Sequence, residues 1–150
     1  MAEHDYKEIY FYADKNSNLL AIPTGLCLNP DMIVGLNIIN ILEYPYSDDD
    51  VEQLIFETFD QCYSEIKADL KEPGILIKHF GRKDYSKAMK KLKLLIIRWD
   101  KDIGYSATPI RGDLKQNNVL EDKIRIIGLS PEKGETVTAI KQAFEDATTA

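Results

Sequence analysis

The chain has 150 residues, of which 44% are hydrophobic and 29% are charged, so its composition excludes a disordered protein and suits one domain with one core. No apolar run reaches the roughly 18 residues that a membrane-spanning helix needs. The first residues, MAEHDYKE, lack the apolar centre of a signal peptide. We therefore expect a single domain over residues 1–150 and a cytoplasmic location. Cys27 and Cys62 have no metal-binding spacing and are interpreted as buried thiols.

The charge is distributed unevenly along the chain. Residues 1–74 carry 4 Lys or Arg against 15 Asp or Glu, and residues 75–101 carry 9 against 2. An acidic first half argues against a simple nucleic-acid binder, which needs a positive surface. It suits a basic partner whose approach is steered by opposite charge. The alternative is that both biases are only solvated helix faces.

The first half of the chain predicts a hairpin, a strand and a helix. Residues 7–13 and 18–23 are rich in β-forming side chains and flank the turn residues DKNS, which indicates a β-hairpin. The continuous apolar run 36–44 predicts a strand buried on both faces. From Val51 to Leu70 apolar residues recur at helical spacing, and we expect this helix to end at Glu72-Pro73-Gly74.

The second half predicts a similar series of elements. We expect strands over 75–81, 92–99, 105–110 and 123–128, an amphipathic helix over 84–92, a polar loop over 111–122 and a last helix over 130–147.

An internal repeat relates the two halves. YADKNSNLLAIPT (12–24) aligns without gaps with RWDKDIGYSATPI (98–110), so that Asp14 falls on Asp100 and Pro23 falls on Pro109. Each hairpin is followed by one more strand and by a helix that a serine opens. The predicted fold class is α+β, a single mixed sheet with flanking helices made of two hairpin-strand-helix halves, joined by the 75–92 segment.

Three consecutive acids, Asp48 to Asp50, follow Ser47 where the first long helix is predicted to begin. Ser47 and Asp50 have the spacing of a capping box, and acids in a first turn favour the positive end of the helix dipole. Ser130 takes the equivalent place before the last helix. The alternatives are a metal site, against which the divergent directions of consecutive helical residues argue, and contact with a partner through Tyr44, Tyr46 and the acids.

No persuasive catalytic constellation is present, so we expect a protein that is not an enzyme and that needs no cofactor or metal. His4 belongs to the terminus, and His79 is interpreted as a packed or edge residue of a strand. Glu65-x-Lys67 is typical of metal nucleases only on a strand, whereas the periodicity places it on a helix. A divergent metal-dependent nuclease and an RNA-binding adaptor using the basic residues of 82–93 remain the alternative functions.

The second half contains a set of structural residues: Gly81, Tyr85, Ser86, Gly104, Tyr105, Pro109, Ser130, Pro131, Glu132, Ala139, Ile140 and Phe144. With these residues the chain resembles one class of CdiI immunity proteins of bacterial contact-dependent growth inhibition. The resemblance covers roughly 75–147, with a weaker likeness over 36–60.

The resemblance implies a cytoplasmic protein without catalysis of its own, which binds and neutralises the C-terminal toxin domain of a cognate CdiA effector, commonly a nuclease. We expect no direct contact with nucleic acid or membrane. An acidic surface would complement the basic active site of such a toxin. The predicted toxin-binding residues form one edge of Glu43, Tyr44, Tyr46, Asp48, Asp49 and Asp50, and a second of Arg111 and Asp113.

Overall fold

A computed structural model of the chain describes residues 5–29, 31–69, 74–110, 124–128 and 134–147. Within these ranges the chain forms eight strands and four helices. In chain order they are β1 (Tyr6–Ala13), β2 (Leu19–Asn29), β3 (Asp31–Gly35), β4 (Asn40–Leu42), α1 (Asp48–Asp60), β5 (Lys67–Asp69), α2 (Ile75–Phe80), α3 (Tyr85–Met89), β6 (Lys93–Asp100), β7 (Gly104–Pro109), β8 (Arg125–Gly128) and α4 (Glu135–Asp146).

The strands form one open sheet in the order β3-β2-β1-β6-β7-β8, with β4 and β5 also pairing with β2. All neighbouring strands are antiparallel except β5, which runs parallel to β2. The two central strands, β1 and β6, pair along their whole length, from Tyr6 opposite Asp100 to Ala13 opposite Lys93. The predicted α+β fold with a single mixed sheet and flanking helices is confirmed.

Helices cover both faces of the centre of the sheet. The apolar stripes of α1 and α4 pack on one face against alternate residues of β1 and β6, among them Ile9, Phe11, Leu95 and Ile97, which have no exposed surface. Leu76 of α2 packs on the opposite face. Because successive strand residues point to opposite faces, β1 and β6 contribute to both cores.

The two hairpins of the repeat have the same register. Ile9 lies opposite Pro23 in the first, and Leu95 lies opposite Pro109 in the second. The aspartates that align in the repeat also build similar turns. Asp14 Oδ1 accepts hydrogen bonds from the N–H groups of residues 16 and 18, and Asp100 Oδ1 accepts from those of residues 102 and 103. Such local acceptors stabilise tight turns, so the two-half plan holds in three dimensions.

The first long helix is shorter than its sequence pattern predicts. It ends at Asp60, whereas the apolar spacing continues to Leu70. Tyr63 has a positive φ of 63°, and its N–H donates to the Thr24 carbonyl at 3.0 Å, so the chain turns toward the sheet. Cys62 fits the helical spacing of apolar residues because it is buried against the same core as α1, although it is not helical. The prediction of a helix that ends near Pro73 was therefore wrong.

Two predicted strands differ in the structure. Residues 75–80 form the helix α2 and not a strand. Leu76 is the one buried residue of this run, so the run lacks the alternating burial of a strand. The run 36–44 forms a strand only over Asn40–Leu42, and Ile41 there is 46% exposed. That strand is therefore not buried on both faces. The polar loop predicted at 111–122 and Ser130 itself lie outside the described residues. The prediction that Ser130 caps the last helix was wrong, because α4 begins at Glu135 with Gly134 as its N-cap.

Candidate functional site

Six predicted site residues lie together in the segment that leads from β4 into α1. We call this surface the acidic rim, and it consists of Glu43, Tyr44, Tyr46, Asp48, Asp49 and Asp50. All six are exposed except Tyr46, which is half-buried. The second predicted edge, Arg111 and Asp113, lies outside the described residues.

Asp50 serves mainly as a helix cap. Its backbone N–H donates to Ser47 Oγ at 3.1 Å, and Ser47 N–H donates back to Asp50 Oδ2 at 3.0 Å. The two bonds complete a capping box. This confirms the capping interpretation for Ser47 and Asp50.

Asp48 makes an ion pair that joins the two helices on this face of the sheet. Its Oδ1 accepts from Lys141 Nζ of α4 at 2.8 Å. The hydrogen bond and the charge of Asp48 raise the pKa of Lys141. Both side chains are about two-thirds exposed, 64% for Asp48 and 63% for Lys141, so water and salt screen the pair. Asp48 and Asp50 therefore have different local partners, Lys141 and Ser47.

The two tyrosines of the acidic rim are held by the turn between β1 and β2. Tyr46 donates its hydroxyl to the Ser17 carbonyl at 2.7 Å, and the Tyr44 N–H donates to Asn18 Oδ1 at 2.9 Å. Asn18 is itself fixed by a bond from its Nδ2 to Asp14 Oδ2 at 3.0 Å. Burial is the main reason why the pKa of Tyr46 is raised. The sequence analysis missed Ser17 and Asn18 as anchors, although DKNSN is a recognisable turn.

The ring of Tyr44 stands outward from this anchored segment. It is 63% exposed and packs edge to face on Tyr46, with ring centroids 5.6 Å apart. An exposed tyrosine on a preformed backbone offers apolar contact area and a hydroxyl while losing little conformational entropy on binding. The arrangement is therefore suited to contact with a macromolecule.

The metal-nuclease alternative depends on bringing Glu65 and Lys67 to the acids of the rim. Lys67 lies on the short strand β5 and not on a helix, so the structural premise on which we set this motif aside was wrong. However, the acids stand at the first turn of α1, and Glu65 follows its end. A 13-residue helix is about 20 Å long, so these groups do not meet at one ion. Within the described ranges, no three His, Cys, Asp or Glu side chains are grouped as a metal site.

The remaining sequence candidates have ordinary surroundings. His79 is exposed on α2, where its ring contacts Phe80 at a centroid distance of 4.8 Å, so its interpretation as a strand residue was wrong. His4 lies outside the described residues. Cys27 and Cys62 are free and buried, as predicted, and burial raises the pKa of the Cys62 thiol.

The basic stretch after α2 forms a solvated surface. Arg82, Lys83 and Lys87 are exposed. Lys93 is half-buried, and its Nζ donates to the Phe144 carbonyl at 3.1 Å. The interleaved exposed aromatics that stack on bases in single-strand binding surfaces are absent from the described part of this stretch, since Tyr85 is half-buried.

The chain was compared with protein-family models and with curated proteins. No protein-family model matches it, and no curated protein shows significant sequence similarity to it. Among the helices in the described part of the chain, none combines the length and apolar character needed to cross a bilayer.

Proposed function

We propose that this protein is an immunity protein that binds the C-terminal toxin domain of a cognate CdiA effector in the cytoplasm and neutralises it. The observation that carries the proposal is the acidic rim, an exposed tyrosine among carboxylates on a backbone that is already fixed. Tyrosine is a common anchor of protein interfaces, and a fixed anchor avoids much of the ordering cost of association.

The negative charge of the acidic rim favours a nuclease toxin as the partner. A nuclease must hold phosphates, so its active site is positively charged. The rim presents Glu43 and the three aspartates of the α1 N-terminus to solvent, and Lys141 lies within contact distance of Asp48. Opposite potentials on the two proteins would accelerate their encounter and favour this partner over others.

Two of the three aspartates already have structural roles within the protein. Asp50 is committed to the capping box and Asp48 to Lys141, so we assign the main partner contacts to Glu43 and Tyr44, and the exposed Asp49 adds to the negative charge of the acidic rim. Tyr44 is the expected hot spot because its ring is the largest exposed apolar group of the rim.

The experiment is co-expression with the toxin domain of the effector encoded directly upstream. Cells that make the toxin domain alone should stop growing, and cells that also make this protein should survive and yield a stable copurifying pair. A Tyr44→Ala, Asp49→Lys variant should protect poorly, whereas a matched Tyr85→Ala, Lys87→Glu variant, away from the rim, should protect fully. Failure of the wild-type protein to protect would refute the proposal. Equal protection by both variants would show that the acidic rim is not the toxin-binding surface.

A further inference from the structure

Asn18 is a turn residue whose side chain forms a hydrogen bond far outside its own turn. The turn between β1 and β2 is closed by the Asp14 N–H, which donates to the Asn18 carbonyl at 3.0 Å. The side chain of Asn18 has two further partners. Its Nδ2 donates to Asp14 Oδ2 at 3.0 Å, and its Oδ1 accepts from the Tyr44 N–H at 2.9 Å. Tyr44 lies 26 positions further along the chain, so this bond ties the acidic rim to the turn.

The internal repeat shows what a hairpin of this kind requires at this position. Asn18 aligns with Gly104, which pairs with Asp100 at the end of the second hairpin. In both turns the aspartate accepts hydrogen bonds from the backbone N–H groups that follow it. A glycine therefore suffices at this place in the second hairpin. We infer that closing the first hairpin does not need the Asn18 side chain, which instead reaches Tyr44.

Ser17, the neighbour of Asn18, links the same turn to the second tyrosine of the acidic rim. Ser17 has a positive φ of 68°, a conformation that is uncommon for residues other than glycine and that costs free energy. Its carbonyl accepts the Tyr46 hydroxyl at 2.7 Å. Strained backbone persists where the surrounding contacts impose it. The turn therefore holds Tyr44 through its backbone and Tyr46 through its hydroxyl, and the two rings meet edge to face.

We propose that Asn18, oriented by Asp14, is a positioning residue of the toxin-binding surface that keeps Tyr44 in place before the toxin arrives. The inference rests on the proposed function, because it takes Tyr44 as a toxin contact. A side chain that is ordered before binding avoids part of the entropy cost of association. Asn18 acts through Tyr44 and carries no charge. Its loss should therefore weaken binding without changing electrostatic steering.

The test is a double-mutant cycle on the affinity for the toxin domain of the effector encoded directly upstream, measured by titration calorimetry. Asn18→Gly, which copies the second hairpin, should weaken binding about fivefold, since Tyr44 must then be ordered during association. In a Tyr44→Ala background the same substitution should change the affinity little, because its effect passes through Tyr44. Asn16→Ala keeps the backbone N–H that Asp14 binds, and this matched control in the same turn should bind like the wild type.

An exchange of two side chains tests whether Asp14 orients Asn18. Asn18→Asp alone places a second carboxylate beside Asp14 and should weaken binding, and Asp14→Asn should weaken it because two amides then face each other. The double variant Asp14→Asn, Asn18→Asp again sets one amide against one carboxylate. It keeps the net charge and an acceptor for the Tyr44 N–H, so it should recover most of the affinity.

The outcomes separate this inference from the proposed function. A wild-type protein that does not bind the toxin domain would refute the proposed function. Wild-type binding that Asn18→Gly leaves unchanged, or that it weakens equally with and without Tyr44, would overturn the positioning role alone. The same holds if the double exchange binds no better than its single variants, or if Asn18→Gly alters the salt dependence of the association rate. Thermal unfolding of every variant distinguishes a loss of binding from a loss of fold.

Discussion

Tyr10 and Ile96 lie directly opposite each other on the two central strands, and they are also equivalent residues of the internal repeat. The alignment of 12–24 with 98–110, extended backwards by two residues, places Tyr10 on Ile96. A residue that pairs with its own equivalent lies on a local two-fold axis, as at the centre of a symmetric dimer interface. The seam between β1 and β6 is therefore a dimer-like interface inside one chain.

The pairs on either side of this point follow the same symmetry. Ile9 lies opposite Ile97, and Phe11 lies opposite Leu95. With one further residue of extension, Ile9 falls on Leu95, and Phe11 falls on Ile97, so the axis exchanges one pair with the other. All four side chains have no exposed surface, and the centre of the main core thus coincides with the symmetry axis.

Removing the helix cap should lower stability without changing the binding surface. Ser47→Ala deletes the oxygen that accepts from the Asp50 N–H, and the expected loss is about 1 kcal/mol in the free energy of unfolding. Urea denaturation measures it. Ser86→Ala on the exposed face of α3 is the matched control and should change stability little. A Ser47→Ala protein as stable as the wild type would mean that the capping box contributes nothing in solution.

Reversing the charge of the rim should slow association with the toxin. In a Glu43→Lys, Asp49→Lys variant we expect the association rate at low salt to fall about tenfold and to depend less on salt, because electrostatic steering is lost. Stopped-flow or surface-based kinetics measure both quantities. Asp50→Lys, by contrast, should also lower thermal stability because it breaks the cap. An unchanged association rate in the double variant would leave the acids with a capping role alone.

A methyl group at Gly25 should destabilise the protein. A Cβ there would come within 2.8 Å of Leu36 Cδ2 and 3.1 Å of the Glu65 carbonyl oxygen. Leu36 is fully buried, so relief of the contact requires repacking. Gly25→Ala should cost about 1–3 kcal/mol of the free energy of unfolding. Gly74→Ala is the control because its Cβ would enter open space. Equal stability of both variants by urea denaturation would contradict the close approach.

Stability should decline at alkaline pH partly through Tyr12. Burial raises the pKa of this phenol above its ordinary value of 10.0. The folded state therefore keeps a proton that the unfolded state loses, so the contribution is complete below pH 10 and decreases as the pH rises further. The expected slope is about 1.4 kcal/mol per pH unit for one such group. Tyr12→Phe should unfold in urea with a shallower pH dependence above pH 10. An identical slope would exclude Tyr12 as a source of the decline.

The repeat was predictable from sequence because its conserved spacing reflects local chemistry. Asp14 and Asp100 accept turn hydrogen bonds from residues two to four positions away, so the same residue type is required at both places. The capping box is equally local, and Ser47 with Asp50 was identified for the same reason. Features that depend on residues no more than four positions apart were thus predictable without a structure.

The errors arose where contacts distant in sequence decide the local conformation. The predicted helix ran past Asp60 because Cys62 keeps the apolar spacing, although Tyr63 turns back to bond the Thr24 carbonyl. Asn40 belongs to an apolar run, yet its Nδ2 donates to Thr58 Oγ1 of α1 at 3.0 Å and to Oε1 of Gln61, the C-cap of α1, at 2.6 Å. Such bonds depend on a helix that follows later in the chain, so the hydrophobic pattern of residues 36–44 does not predict them.

The seam between the halves also sets an order of events during synthesis. β1 leaves the ribosome first, whereas its neighbour β6 begins at Lys93, and translation at 5–20 residues per second separates them by on the order of 5 to 15 seconds. During that interval β1 has one unpaired edge, and its apolar residues Ile9 and Phe11 lack the opposite half of their core. Two unfinished chains that meet in this state can pair edge to edge in trans. Fast synthesis of the second half therefore shortens the time in which two unfinished chains can pair through β1.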